Sequence, residues 1–130
     1  MVQIKDFSVG QDAYILRWNG KNWDRISTTI TRIGRKYVTV SGDRRFTVAE
    51  FTDFGFDAKT EYLFEVENYG RKDYLFRTKE DADAFLSNWK KKRYIINVVN
   101  KLSMHSFDDD YSVIDKVYNA CKELEEVLSQ

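Results

Sequence analysis

The sequence predicts an α+β fold in which a small SH3-like antiparallel β-barrel or meander is followed by a helical part. Residues 1–77 hold short segments of period-two hydrophobicity separated by tight turns, whereas residues 78–130 change to helical spacing. The chain has 130 residues, of which 15% are aromatic, so it is long enough to bury one core without disulfides or metals. We therefore predict one domain, with a β-rich part and then a helical part.

Six strand segments account for the β-rich part. Residues 9–18 place Tyr14, Leu16 and Trp18 on one face, and an Asn-Gly turn at 19–22 leads into a second strand. Glycine-containing turns or loops precede most of the later segments. The later strand segments, in chain order, are residues 24–33, 35–40, 45–48, 62–68 and 72–78. Between the fourth and fifth strands, the phenylalanines of residues 49–61 are expected to plug one end of the barrel.

Two helical segments follow the strands. Thr78 is placed to cap a helix, with Asp81 three residues later, and the spacing allows either one long helix or two joined helices over residues 79–102. A second helix is predicted from about Asp109 to Leu128, and the three aspartates at its start favour the positive end of its dipole. Its apolar side comprises Ile114, Val117, Tyr118, Cys121, Leu124 and Leu128.

The formal net charge of zero arises from 21 cationic and 21 anionic side chains that are unevenly distributed. Residues 1–49 carry nine Lys or Arg against four Asp or Glu, and residues 50–89 carry five against ten. Residues 90–101 carry five cations and no anion, and residues 102–130 carry two cations against seven anions. Because a partner interacts with local patches of charge, this distribution matters more than the net value.

No catalytic signature is recognisable in the sequence. The single histidine, His105, and the single cysteine, Cys121, lie sixteen residues apart, and no glycine-rich phosphate loop or metal-ligand spacing is present. We predict that the protein is not an enzyme and uses no metal or cofactor. Cys121 is expected to be a buried apolar group. No signal peptide or apolar run of transmembrane length is found, which favours the cytoplasm of a bacterial host cell.

Two basic segments are the candidate binding sites. In the hairpin 32–45, a strand would direct Arg35 and Tyr37 to one face and separate Arg44 from Arg45, which could also be ordinary solubilising charges. The run 90–93 lies on a helix, where four successive residues encircle the axis. The candidate binding residues are Arg35, Tyr37, Arg44, Arg45, Lys90, Lys91, Lys92 and Arg93.

Four motifs occur in a characteristic order: "TRIGRKYV" (31–38), "YLF" (62–64), a helix start of the form T-x-E-D-A (78–82) and "IDKVYNACKELEEVL" (114–128). This order resembles that of small β-barrel proteins of Gram-positive phages and mobile elements. The resemblance covers most of the chain and supplies no catalytic residues. What it implies is a phage or mobile-element accessory protein.

Three functions follow from these observations. The first is a non-catalytic binding protein that docks on a host or phage macromolecule, such as an inhibitor of a host defence nuclease (anti-CRISPR-like). The alternative is a nucleic-acid-binding module that uses the hairpin 32–45 and the helix segment 90–93. A third is a small-ligand or enzymatic role in the barrel mouth lined by Phe51, Phe54 and Phe56.

Overall fold

A computed structural model describes residues 2–48, 61–66 and 73–130 of the chain. The chain divides into two compact units, Met1–Lys91 and Lys92–Gln130, and the boundary between them falls within a helix. We call them the barrel unit and the helical unit. The predicted phenylalanine plug, including the proposed ligand site at Phe51, Phe54 and Phe56, lies outside the described residues.

The barrel unit contains a closed antiparallel β-barrel in which each strand pairs with the next and the last pairs with the first. Closure occurs where Ile15 is opposite Leu75, and it leaves the sheet without an open edge. This confirms the predicted α+β architecture, while the SH3-like likeness stays a prediction. The strands are β1 (Asp12–Trp18), β2 (Trp23–Ile33), β3 (Val38–Val40), β4 (Arg44–Thr47), β5 (Leu63–Glu65) and β6 (Tyr74–Phe76).

Tight turns set the register of the first strands. The Asn19 side-chain oxygen accepts hydrogen bonds from the backbone N–H groups of Lys21 and Asn22, at 2.9 and 2.7 Å. Between β2 and β3, the N–H of Gly34 donates to the carbonyl of Tyr37 at 2.9 Å. The predicted strand 35–40 is therefore too long at its start, because its first residues form this turn and β3 begins only at Val38.

The barrel interior is filled by one set of alternating side chains. Ala13 and Ile15 of β1 point inward, whereas Tyr14 and Leu16 point outward, as the period of two predicts. A single turn of 3-10 helix, Ile4–Asp6, precedes β1. The buried interior residues are Val2, Phe7, Ala13, Ile15, Ile30, Val38, Val40, Phe46, Leu63 and Leu75.

The first helix, α1 (Lys79–Met104), is continuous, which answers whether the segment forms one helix or two. Its start is capped as predicted, because the Thr78 hydroxyl accepts from the N–H of Asp81 at 3.1 Å. Ala82 is fully buried against the outer face of β1 and β6, where Leu16 and Phe76 lie.

The second helix, α2 (Tyr111–Leu128), begins after Asp110, whose carboxylate accepts from the N–H of Val113 at 3.3 Å. The predicted capping role of the aspartate run is thereby confirmed at Asp110. No residue of α2 is buried. Cys121 is exposed, so the prediction that it is buried is wrong, because no residue in the described part of the chain packs over its position on α2. Neither α1 nor α2 is both long and apolar enough to cross a membrane.

Candidate nucleic-acid interface on the barrel

Two arginines on the outer face of the barrel lie on β2 and β4, the strands on either side of β3. Arg32 of β2 is the backbone partner of Thr39 in β3, and Thr39 is in turn the partner of Arg45 in β4. Side chains directly opposite each other in antiparallel strands project from the same face. A register irregularity between Ile30 and Arg32 marks a β-bulge in β2, a feature that redirects side chains. This register therefore places Arg32 and Arg45 on either side of Thr39.

Tyr37 is surrounded by cations at the edge of this face. The guanidinium carbon of Arg45 lies 4.8 Å from the centroid of the Tyr37 ring, and the Lys36 ammonium lies 5.8 Å from it. Arg35 occupies the same turn as Lys36. Within the described ranges, no hydrogen bond or ion pair engages the side chains of Arg32, Arg35 or Lys36. We call these five residues the cationic face.

Arg44 has a different environment from its neighbour Arg45. Its Nε donates to Glu65 and its Nη2 donates to Asp73, both at 2.5 Å. Arg17 also donates to Asp73, through Nε at 3.0 Å. Asp73 is fully buried, and the side chain of Glu65 is only 7% exposed. The prediction that Arg44 contacts an acidic partner remains untested, but its donors are directed at carboxylates of its own chain.

The Arg44 network has an electrostatic consequence. Burial lowers the pKa of the Arg44 guanidinium, but its hydrogen bonds to Asp73 and Glu65 and their charges outweigh burial and raise that pKa. Among the described residues, the two arginines and two carboxylates of this cluster balance in charge. Asp73 was missed by sequence reasoning. Its position two residues before Leu75, an inward-facing residue, is the signal that could have found it.

An aromatic cluster joins the outer barrel surface to α1. The Trp18 ring lies 5.2 Å from that of Trp89, and the Tyr62 ring lies 4.4 Å from that of Tyr74. Burial, reinforced by the nearby Tyr74, raises the pKa of Tyr62 to about 12, and burial also raises the pKa of Tyr74. These phenols stay protonated at neutral pH, and the cluster is a packing surface between sheet and helix.

The basic run of α1 is exposed but does not form one face. Lys90, Lys91, Lys92 and Arg93 are successive helical residues, so their side chains point in four directions around the axis. This agrees with the spacing argument from the sequence. Whether these residues bind a partner stays a prediction, as it does for the cationic face.

Among the residues described, no group of three or more His, Cys, Asp or Glu side chains is arranged to hold a metal ion. His105 lies between the two helices, with its ring 4.7 Å from that of Phe107. The single cysteine, Cys121, lies exposed on α2.

The chain as a whole matches one protein-family model. The match covers residues 1–130, and the family is described as the phage ProQ C-terminal-like domain. No curated protein and no solved structure matches the chain significantly. The predicted phage association is confirmed by the family match, whereas the Gram-positive host stays a prediction. By this match over its whole length, the chain belongs to the phage ProQ C-terminal-like domain family.

Proposed function

We propose that this phage domain is a non-catalytic binding protein that docks on nucleic acid through the cationic face of its barrel. The observation that carries the proposal is the placement of Arg32 and Arg45 on either side of Thr39, with Tyr37 beside them. Phosphate groups attract such a cluster, and the released counterions favour binding. The proposal requires no cofactor and places the protein in the cytoplasm of the host cell.

The geometry favours binding of a flexible or single-stranded nucleic acid over recognition of the base sequence of a duplex. Two strand spacings separate the backbones of Arg32 and Arg45 by roughly 10 Å, so the two side chains can hold successive parts of one backbone. Tyr37, with Arg45 against its ring, offers a surface on which a base can stack. The cationic face includes no helix that could enter a major groove.

The test is direct binding to single-stranded RNA, single-stranded DNA and duplex DNA, measured by fluorescence anisotropy at about 50 and about 200 mM salt. We expect binding that weakens steeply with salt and is strongest for a single strand. The double variant Arg35→Glu, Lys36→Glu alters two exposed turn residues and is expected to abolish it. The matched control is Lys5→Glu, Lys21→Glu, which reverses two exposed lysines elsewhere on the barrel unit.

The binding measurements distinguish a site on the cationic face from a general effect of charge. Salt-dependent binding that survives in the control and is lost in the Arg35→Glu, Lys36→Glu variant supports the proposal. Absence of binding at about 50 mM salt, where phosphate contacts are strongest, would refute it. Equal losses in the two variants would indicate a general effect of charge and would also count against the cationic face.

A second candidate is docking on a host or phage protein, for example as an inhibitor of a defence nuclease. The observation that favours it is the excess of seven carboxylates over two lysines in residues 102–130. A carboxylate-rich helix can occupy a basic nucleic-acid channel. If so, Glu123→Lys, Glu126→Lys would abolish inhibition of a purified guided nuclease, whereas Arg35→Glu, Lys36→Glu would not.

A further inference from the structure

The exposed apolar side chains of this protein are concentrated in the helical unit. Among the residues described, thirteen large hydrophobic side chains are exposed, and all but Val9 lie beyond Lys92. Leu128 is 77% exposed and Val127 is 61% exposed. Isolated helices of this length are marginal in water, because most helical stability comes from packing of an apolar face. Among the described residues, nothing buries these apolar side chains of the helical unit.

The apolar residues of α2 form one continuous stripe. Ile114, Val117, Cys121, Leu124 and Leu128 are separated by three and four residues in alternation, which places them along one side of the helix. Val113, Ala120 and Val127 broaden that stripe on one flank. A stripe of this width is typical of helices in a bundle and wider than the seam of a two-stranded coiled coil.

The end of α1 provides a second apolar face. Ile95, Val98 and Leu102 are also separated by three and four residues, and all three are exposed. Ile96 follows Trp89, which packs on the barrel, by seven residues and lies on the same side of the helix, yet it is 51% exposed. The later part of α1 thus carries apolar side chains that no described residue buries.

We propose that the helical unit is a dimerisation element, in which the apolar faces of α1 and α2 pack against those of a second copy as a four-helix bundle. In this arrangement α1 of one copy lies against α2 of the other. A two-fold axis then makes the same contact twice, because each copy supplies both surfaces. Four amphipathic helices with broad apolar stripes are sufficient for such a core.

Charge complementarity argues for a second copy as the occupant. Lys91 and Lys92 precede Ile95 by four and three residues, so they border the apolar face of α1. Glu125 follows Cys121 by four residues and borders the stripe of α2. Residues 90–101 carry five cations and no anion, and residues 102–130 carry seven anions against two cations. A second copy therefore supplies the opposite charge to both faces at once.

The first experiment measures the mass of the full chain by sedimentation velocity between low micromolar and high micromolar concentration. We expect a dimer whose dissociation constant rises about 30-fold or more in Leu124→Glu, the loss typical of a central contact. The matched control is Val9→Glu, which changes an exposed apolar residue outside the helical unit and should leave the dimer intact. Tryptophan fluorescence checks that the barrel unit stays folded in both variants, since Trp18, Trp23 and Trp89 all lie in that unit.

Charge reversal tests the pairing of α1 with α2 between copies. One variant carries Lys91→Glu and Lys92→Glu, and the other carries Glu123→Lys and Glu125→Lys. Each variant alone brings like charges together at both contacts and is expected to be monomeric. Their equimolar mixture restores opposite charges at both contacts and is expected to form a heterodimer.

The rate at which maleimide labels Cys121 gives an independent readout on the unaltered chain. The thiol is exposed in one copy and lies within the apolar stripe, so dimerisation should slow labelling as the protein concentration rises. A monomer at high micromolar concentration and low salt would overturn the proposal, whether α2 is covered by its own chain or by another protein. A dimer unaffected by Leu124→Glu and by charge reversal would overturn it equally.

Discussion

The barrel unit and the helical unit both contain regularly spaced apolar residues, but the two units bury them to different extents. In the barrel unit the alternating residues of β1 are covered on both sides, by the interior on one face and by α1 on the other. In the helical unit the amphipathic stripe of α2 has equally regular spacing, yet none of its residues is buried. The period of a sequence therefore identifies an apolar face but does not identify what covers it.

The difference has a physical origin in how the two structures close. A barrel strand needs neighbours for its backbone hydrogen bonds, so forming the sheet also brings side chains together. A helix satisfies its own backbone, so its hydrogen bonds do not bring another element against its side chains. We expect the barrel unit to be the stable part of the chain and the helical unit to depend on a partner.

The largest expected effect is the loss of a ring from the barrel interior. Phe46 is fully buried, and Phe46→Ala should lower the free energy of unfolding by about 3–5 kcal/mol. Leu124→Ala should change the barrel transition by less than about 0.5 kcal/mol, because Leu124 lies outside the barrel unit, which holds all three tryptophans. Urea unfolding followed by tryptophan fluorescence measures this difference, and similar losses in both variants would remove the distinction between the units.

The next effect concerns the buried carboxylate that accepts from two arginines. Asp73→Ala leaves Arg17 and Arg44 without their shared acceptor, and we expect a loss of about 3 kcal/mol in the free energy of unfolding. Asp83→Ala is the control, because its pair with Arg25 at 2.6 Å is exposed on both sides and is worth about 0–1 kcal/mol. A loss in Asp73→Ala no greater than that of the control would show that the network does not stabilise the barrel.

The positions of Arg44 and Arg45 show how much of the site can be predicted from the sequence. Alternation correctly assigns the two residues to opposite faces of a strand. It does not reveal which face is inside, since that depends on Phe46 and Leu75, residues far apart in sequence, meeting in one core. Asp73 escaped notice for the same reason, because its spacing from Leu75 marks it as inward-facing only once Leu75 is known to lie in the core.

The helices show which features can be predicted from nearby residues and which cannot. The cap at Thr78, the apolar stripe of α2 and its cap within the aspartate run were all predictable, because each depends on residues within a few positions. The exposure of Cys121 was not, because it depends on whether another surface is present. Local signals identify elements, whereas burial depends on contacts distant in sequence.

A smaller effect is expected in alkaline solution, where the aromatic cluster should loosen before the rest of the barrel. Burial raises the pKa of Tyr62 to about 12 from the ordinary value of 10.0. The folded state therefore favours the protonated phenol, and its contribution to stability is present below pH 10 and is lost as the pH rises towards 12. Urea midpoints measured across this range should fall less in Tyr62→Phe than in the unaltered protein. An identical fall in both would assign the effect to other groups.

The smallest expected effect comes from the indole nitrogen of Trp23. Its Nε1 is buried and has no hydrogen-bond partner among the described residues, a condition that costs about 1–3 kcal/mol. Trp23→Phe removes this atom and keeps a ring within the aromatic cluster, whose Phe85 and Tyr74 rings lie 5.2 and 5.6 Å away. The lost ring area and the removed orphan donor oppose each other, so we expect a change in the free energy of unfolding within about 1 kcal/mol. Trp23→Ala, which removes the ring as well, should cost about 3 kcal/mol or more. If urea unfolding shows that Trp23→Phe lowers the free energy of unfolding as much as Trp23→Ala does, the indole nitrogen is stabilising. The contact between the barrel and α1 then depends on a polar interaction in addition to packing.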